Sequence, residues 1–377
     1  MKRLNQSLAV IALLAFAACN QQDRSTSTHL PSAAGFTDTI GGKTTSMVVI
    51  KNAHGIEAAF TTYGARLVSL VVPDKNGKPT PVVIGFDSAR QYKESTEPYF
   101  SATVGRYGNR IKNGQFTLDS VPYQLTINNG PNTLHGGVSG FQDKVWDVAS
   151  SNDSSIVFTY LSKDGEEGFP GNAQIKVTYS LTDDNGLKME YEATTDKPTV
   201  MNLTNHAFFN LNGEGSGSIL EHTLWIDADQ YTPVDSTLIP TGVIAPVAGT
   251  PFDFNTPTTI GQRINEADTQ LNYGKGYDHN YVLKGSGWHK AATATGDKSG
   301  IVLEVWTEEP GVQFYSGNFM QSKNTLRGGV KDDLRTAFCL ETQHYPDSPN
   351  QPAFPSTVLR PGQTYKTVSM YRFDVKK

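Results

Sequence analysis

Residues 174–194 constrain the fold more than any other stretch. In QIKVTYSL (174–181), Ile175, Val177, Tyr179 and Leu181 fall on one face, and Gln174, Lys176, Thr178 and Ser180 on the other. LKMEYEAT (187–194) alternates in the same way, and TDDNG joins the two runs. Period-two alternation on both sides of a turn sequence predicts an antiparallel hairpin with one wet face. The apolar face of such a hairpin needs a second layer to cover it. The rest of the chain offers strands for that layer: MVVIKN (47–52), IEAAFTTYG (56–64), the start of ARLVSLVVPDKNGKP (65–79), PVVIGF (81–86), IVLEVWTE (301–308), TAFCLETQ (336–343) and a last one near TYKTVSMYRF (364–373). Helical signals are few and short, at DSARQY (87–92) and TTIGQRI (258–264). No internal repeat points to a propeller or solenoid. The expected fold is therefore all-β, a single large antiparallel β-sandwich over residues 36–377, with function at the loops or on a concave sheet face.

The N-terminus reads differently. Residues 1–18 have a basic start, an apolar run from Leu8 to Ala18 and small residues before Cys19, which is the pattern of a secretory signal. The ending FAAC resembles a bacterial lipoprotein signal, with Cys19 becoming the lipidated first residue; cleavage after a small residue without lipidation is the alternative. The expected address is the periplasm, with a lipid anchor in the outer membrane. Residues 19–35 are small and polar and read as a tether, with His29 an incidental member. If Cys19 is lipidated, Cys339 has no partner and is expected as a buried free thiol. A net charge of −5 gives no reason to expect nucleic acid as a partner.

The chemistry concentrates in a few places. Read as a strand, NLTNHAFFNL (202–211) puts Asn202, Thr204, His206, Phe208 and Asn210 on one face and Leu203, Asn205, Ala207, Phe209 and Leu211 on the other. The second face is core material; the first suits the lining of a polar pocket with His206 at its centre. Glu341 continues a stretch, 337–340, that is apolar on both faces. A carboxylate on such a buried strand must be paired, hydrogen-bonded or neutral. Burial also raises its pKa towards the range of a general base; an ion pair with a core arginine is the plainer alternative. His135 lies in NNGPNTLHGGVSGF (128–141), where the following glycines allow close backbone approach to a ligand, or mark a simple turn. Asn109 and Arg110 follow a Gly-containing turn and offer a polyol both donors and an acceptor, unless that turn is merely solvated. Asp278 and His279 are adjacent on a strand, so at most one of them lines a given pocket. His54 reads as a turn residue, and His222, His289 and His344 have no distinguishing context. No HExxH, paired CxxC, GxSxG or P-loop occurs, so no metal or cofactor is indicated.

Eight blocks together carry a resemblance: LVVPDKNGK (70–78), ATVGRYGNRI (102–111), INNGPNTLHGG (127–137), DGEEGFPG (164–171), NLTNHAFFNL (202–211), GYDHNYVL (276–283), EPGVQFYSGN (309–318) and LETQHYPDSPN (340–350). In sequence and order they resemble the aldose 1-epimerase family, the galactose mutarotases, over roughly residues 40–375. The resemblance implies a one-domain sandwich acting on a monosaccharide without metal or cofactor. It implies that His206 is the general acid at the sugar ring oxygen and Glu341 the base at the anomeric hydroxyl. It places His135 near the ring oxygen, and Asn109, Arg110, Asp278 and Gln313 on the other hydroxyls. Gly108 and Ser101 depart from the family's usual Ala and Gly. The chemistry agrees with these roles, because ring opening needs one proton removed and one supplied. Each transfer contributes roughly 10²–10⁴-fold. An ionised Glu341 beside a protonated His206 is the expected state. Two other readings are a non-catalytic sugar-binding lipoprotein, and an epimerase for phosphorylated sugars, for which the matching blocks offer Arg110 but no cluster of cations.

Overall fold

The computed structural model describes residues 29–376. The signal at 1–18, Cys19 and the tether as far as residue 28 lie outside the described residues. Nine strands form one sheet, in the order Asp147–Ser151, Ser155–Ser162, Ala173–Leu181, Gly186–Thr195, Tyr365–Val375, Ile301–Thr307, His289–Thr295, Thr223–Ile226 and Thr258–Thr259. The predicted hairpin supplies the third and fourth of these strands, running from Ala173↔Thr195 to Leu181↔Leu187. Facing it are a four-stranded sheet (Met47–Lys51, Glu57–Thr61, Arg66–Pro73, Pro79–Pro81) and a five-stranded one (Ala245–Pro246, Gln230–Tyr231, Asp278–Val282, Gly311–Tyr315, Cys339–Gln343). All pairings within these sheets are antiparallel.

The main core fills the space between the layers. Ile175, Val177 and Tyr179 of the large sheet meet Phe60 and Leu67 of the four-stranded sheet and Val312, Phe314 and Leu340 of the five-stranded sheet. Side chains alternate along a strand, so the register of the five-stranded sheet turns Asp278, Gln313, Tyr315, Cys339 and Glu341 to its other side. That side faces a cavity, as the concave-face expectation requires.

Residues 202–211 are not one strand. Thr204–Asn205 pair with Thr103–Val104, and Phe209 bridges both Val83 and Phe338. The segment threads between sheets, so its backbone partners change along its length: Ala102 for His206, Val82 for Asn210 and Phe338 for Phe209. The alternation itself survives. Leu203, Ala207, Phe209 and Leu211 belong to the main core, while Phe208 joins a second cluster with Phe86, Phe100 and Tyr315. Phe209 packs edge-on against Tyr371 at 5.0 Å and tilted against Phe338 at 6.0 Å. Phe209→Ala should cost about 3–5 kcal/mol of stability in guanidinium unfolding; a loss below about 1 kcal/mol would mean that this crossing is not part of the packed core.

Two local expectations need correction. The helix expected at 87–92 runs from Ala89 to Glu94, because the Ser88 hydroxyl caps it by accepting from the Gln91 N–H. The helix expected at 258–264 is absent: Thr258–Thr259 form an edge strand on Thr223–Leu224. β-Branched threonines favour that choice. The second helix is Thr269–Gly274 instead, capped by Asp268, whose carboxylate accepts from the Gln270 and Leu271 N–H groups. The end of the tether also packs earlier than expected. Leu30 rests on the second core cluster, and Ala33–Phe36 forms a 3-10 turn with Phe36 buried.

Candidate active site

The site is built around one imidazole. Cys339 and Glu341 are two residues apart on a fully buried strand, so both side chains emerge on the cavity side. His206 comes from the crossing segment and lies between them. Its Nε2 is 3.6 Å from Glu341 Oε1, and its Nδ1 is 3.4 Å from Cys339 Sγ. Glu341 Oε2 is buried and has no hydrogen-bond partner. A carboxylate oxygen left open in this way, beside an imidazole in a cavity, is a ready acceptor for a ligand hydroxyl. The cavity is about 700 Å³ and is lined by Asn109, Arg110, His135, His206, Asp278 and Glu341 among others. Six of the seven predicted substrate-site side chains therefore meet in one place.

The exception is Gln313, which does not line the cavity. Its amide donates to Asp278 Oδ1 at 2.8 Å and so braces that carboxylate. Arg110 reaches the other oxygen of Asp278 at 3.8 Å and donates through Nε to Asn129. His279 points the opposite way from Asp278, against Phe252 and Tyr231, as the alternation rule demands.

His135 and Asn109 lock each other. The His135 N–H donates to the Asn109 carbonyl, and the Asn109 N–H donates to His135 Nδ1, both at 3.0 Å. Nδ1 is thus an acceptor, and neutral His135 carries its proton on Nε2. Both residues have left-handed backbones, with φ 51° and 64°. Gly136 is needed for a different approach from the one expected. A Cβ there would sit 1.9 Å from the Gly105 carbonyl oxygen, so it is backbone rather than ligand that comes close. Ser101 also has a positive φ, 51°, which accounts for the preference for Gly at this position; its N–H still donates to the His206 carbonyl.

Several site residues carried no signal in the sequence. Tyr99 covers both histidines, stacking on His206 at 5.9 Å and tilting against His135 at 4.6 Å. Glu97 lines the same cavity, and burial pushes its pKa up to about 7. Asn202, Thr204 and Asn210 do not line the cavity. Asn202 accepts from the His344 N–H and donates to the carbonyls of Gly108 and His344, bracing three segments behind the site. His344 is itself held by buried Glu309 at 2.6 Å.

Burial sets the charge state. Loss of solvent pushes the Glu341 carboxyl well above its usual range, and Asp278 adds to this, while Arg110 opposes it. The same loss pushes His206 down to about 3. Burial therefore works against the charged pair expected from sequence. Desolvation penalises the charge on each of these two buried groups, which lie 3.6 Å apart. Neutral Glu341 with neutral His206 and ionised Glu341 with protonated His206 contain the same number of protons. Moving one proton within the pair converts one state into the other without uptake from solvent.

Among the described residues, His135, His206 and Glu341 are the group whose donor atoms are close enough to hold a metal ion. The Nδ1 of His135 is already committed to a backbone N–H and its Nε2 carries the proton, so it offers a metal no free lone pair. The donor set fits hydroxyl recognition and proton exchange instead.

Comparison with known proteins agrees with this geometry. Residues 46–372 match the family model described as aldose 1-epimerase. The human galactose mutarotase is 44% identical over 315 residues, covering 83% of this chain and 90% of that protein. The Escherichia coli aldose 1-epimerase is 38% identical over 336 residues, covering 88% and 96%. The structure of an aldose epimerase homologue from C. elegans superposes with a TM-score of 0.82 at 34% identity, over 88% of this chain and all of that one. Galactose 1-epimerase from Lactobacillus acidophilus gives a TM-score of 0.79 at 28% identity, over 90% and 97%. A cavity with an imidazole and an open carboxylate, on a sandwich shared with these proteins across nearly its whole length, means that this chain belongs to the aldose 1-epimerase family.

Proposed function

We propose that the protein interconverts the α- and β-anomers of a free aldohexose such as glucose or galactose, with Glu341 as base and His206 as acid. The observation that carries this reading is the unpartnered Oε2 of Glu341, buried beside the His206 imidazole. Glu341 takes the proton from the anomeric hydroxyl as its oxygen forms a carbonyl with C1. The C1–ring-oxygen bond pair moves to the ring oxygen, which receives a proton from His206. Rotation about C1–C2 turns the other carbonyl face to the ring oxygen. Closure returns both protons, so the pair resets itself. Bound hydroxyls that hydrogen-bond to Glu341 favour its ionised form, and with it the charged pair that this sequence of steps needs. Asp278, Arg110, Asn109 and His135 supply the remaining contacts.

The test is polarimetry on freshly dissolved pure α-glucose and α-galactose. Equilibration should accelerate in proportion to protein concentration. Sugar binding in calorimetry with equilibration at the buffer rate would favour the non-catalytic alternative, for which no observation in the site speaks.

A further inference from the structure

Cys339 takes no part in the steps above, yet it touches the group that does. It is fully buried and, among the described residues, it is the free cysteine. Its Sγ lies 3.4 Å from His206 Nδ1, while Glu341, from the same face of the same strand, lies 3.6 Å from Nε2. Side chains of one strand thus flank the imidazole, one beside each nitrogen.

We infer that Cys339 is a positioning residue, whose sulfur keeps the His206 Nδ1–H hydrogen-bonded so that Nε2 is the nitrogen exchanging a proton with the sugar. The inference rests on the acid role proposed for His206. When an imidazolium gives its Nε2 proton to the ring oxygen, the remaining proton is on Nδ1. It must stay there for Nε2 to recover its proton on closure. A buried N–H without an acceptor is costly, and thiol sulfur is an acceptor, though a weak one. Weakness is useful in this position. A carboxylate behind Nδ1 would stabilise the cation and make it a poorer acid. A thiol orients the ring without adding charge. Burial, together with the nearby carboxylates, keeps Cys339 in that neutral form by pushing its pKa well above the usual thiol range.

The experiment compares C339A and C339S by polarimetry over a range of sugar concentrations. Each variant is also examined by ¹⁵N NMR of labelled histidine to read the His206 tautomer, and by thermal unfolding. C339A should lower kcat by about 3- to 10-fold, the cost of one hydrogen bond expressed as rate, with KM within about twofold. Its neutral His206 should no longer favour the Nδ1–H form. C339S, whose hydroxyl also accepts, should recover most of both. A C339A with wild-type kcat and an unchanged tautomer would overturn the inference. So would a C339S as slow as C339A with the same melting temperature, since sulfur would then matter only for packing. The NMR readout does not depend on turnover, so a wild-type protein inactive in polarimetry would count against the proposed function, while the tautomer would still report on Cys339.

Discussion

Glu341→Gln should reduce anomerisation by about 10²–10⁴-fold and leave sugar binding within a few-fold of wild type. Glutamine has the same shape and still offers an oxygen to a sugar hydroxyl, but it cannot take a proton. Polarimetry and calorimetry on the same preparation separate the two effects. Near-normal turnover would transfer the base role to another carboxylate of the cavity, Asp278 or Glu97. The substitution should also change the pH dependence of stability, with a definite sign. The Glu341 pKa is raised on folding, so between its unfolded and folded values the native state holds the extra proton. Wild-type stability therefore falls as pH rises through that window. Glutamine removes this loss, so the melting temperature of E341Q relative to wild type should increase as pH rises through that window. A difference independent of pH would mean that Glu341 is not held neutral by burial.

His206→Asn should cost a similar factor, about 10²–10⁴ in kcat, because the ring oxygen would then leave without a proton donor. Its pH profile is the more informative readout. In the wild type the pair needs only a single shared proton, so the rate should be flat across neutral pH. In H206N the remaining rate depends on Glu341 alone and should climb with pH as that carboxyl, raised by burial, ionises. A residual rate that fell with pH would point to Glu341 as the proton donor and reverse the two roles.

The parts of this site that were legible in the sequence are those with a local signature. His206 announced itself because polar residues alternate with core residues around it, and that alternation holds even though the segment is not a continuous strand. Glu341 did so because a carboxylate extends a strand apolar on both faces. Partners chosen by the folded chain had no such mark. Tyr99 and Glu97 lie in a loop without periodicity, and only the closing of the sandwich brings them over the histidines. The position of Gln313 is hidden for a related reason. Its register opposite Asn280 and Glu341 puts it beside Asp278 rather than at the cavity surface, and register across strands cannot be read from one strand. Sequence reveals that the two groups of the pair meet but not how dry their meeting place is, and that dryness opposes the charge on each.

The cavity is assembled from two kinds of backbone. Asp278 and Glu341 stand on paired strands whose other face is core. Ser236, Thr237, Leu238, Tyr273, Lys275 and Val138 reach the same cavity from turns and from the end of a short helix. Strand positions are fixed by the register of their neighbours, whereas surface connections tolerate exchange. The base and the rim of the cavity rest on backbone of different kinds. The connections at the rim can therefore vary in sequence while the register that carries Glu341 stays as it is.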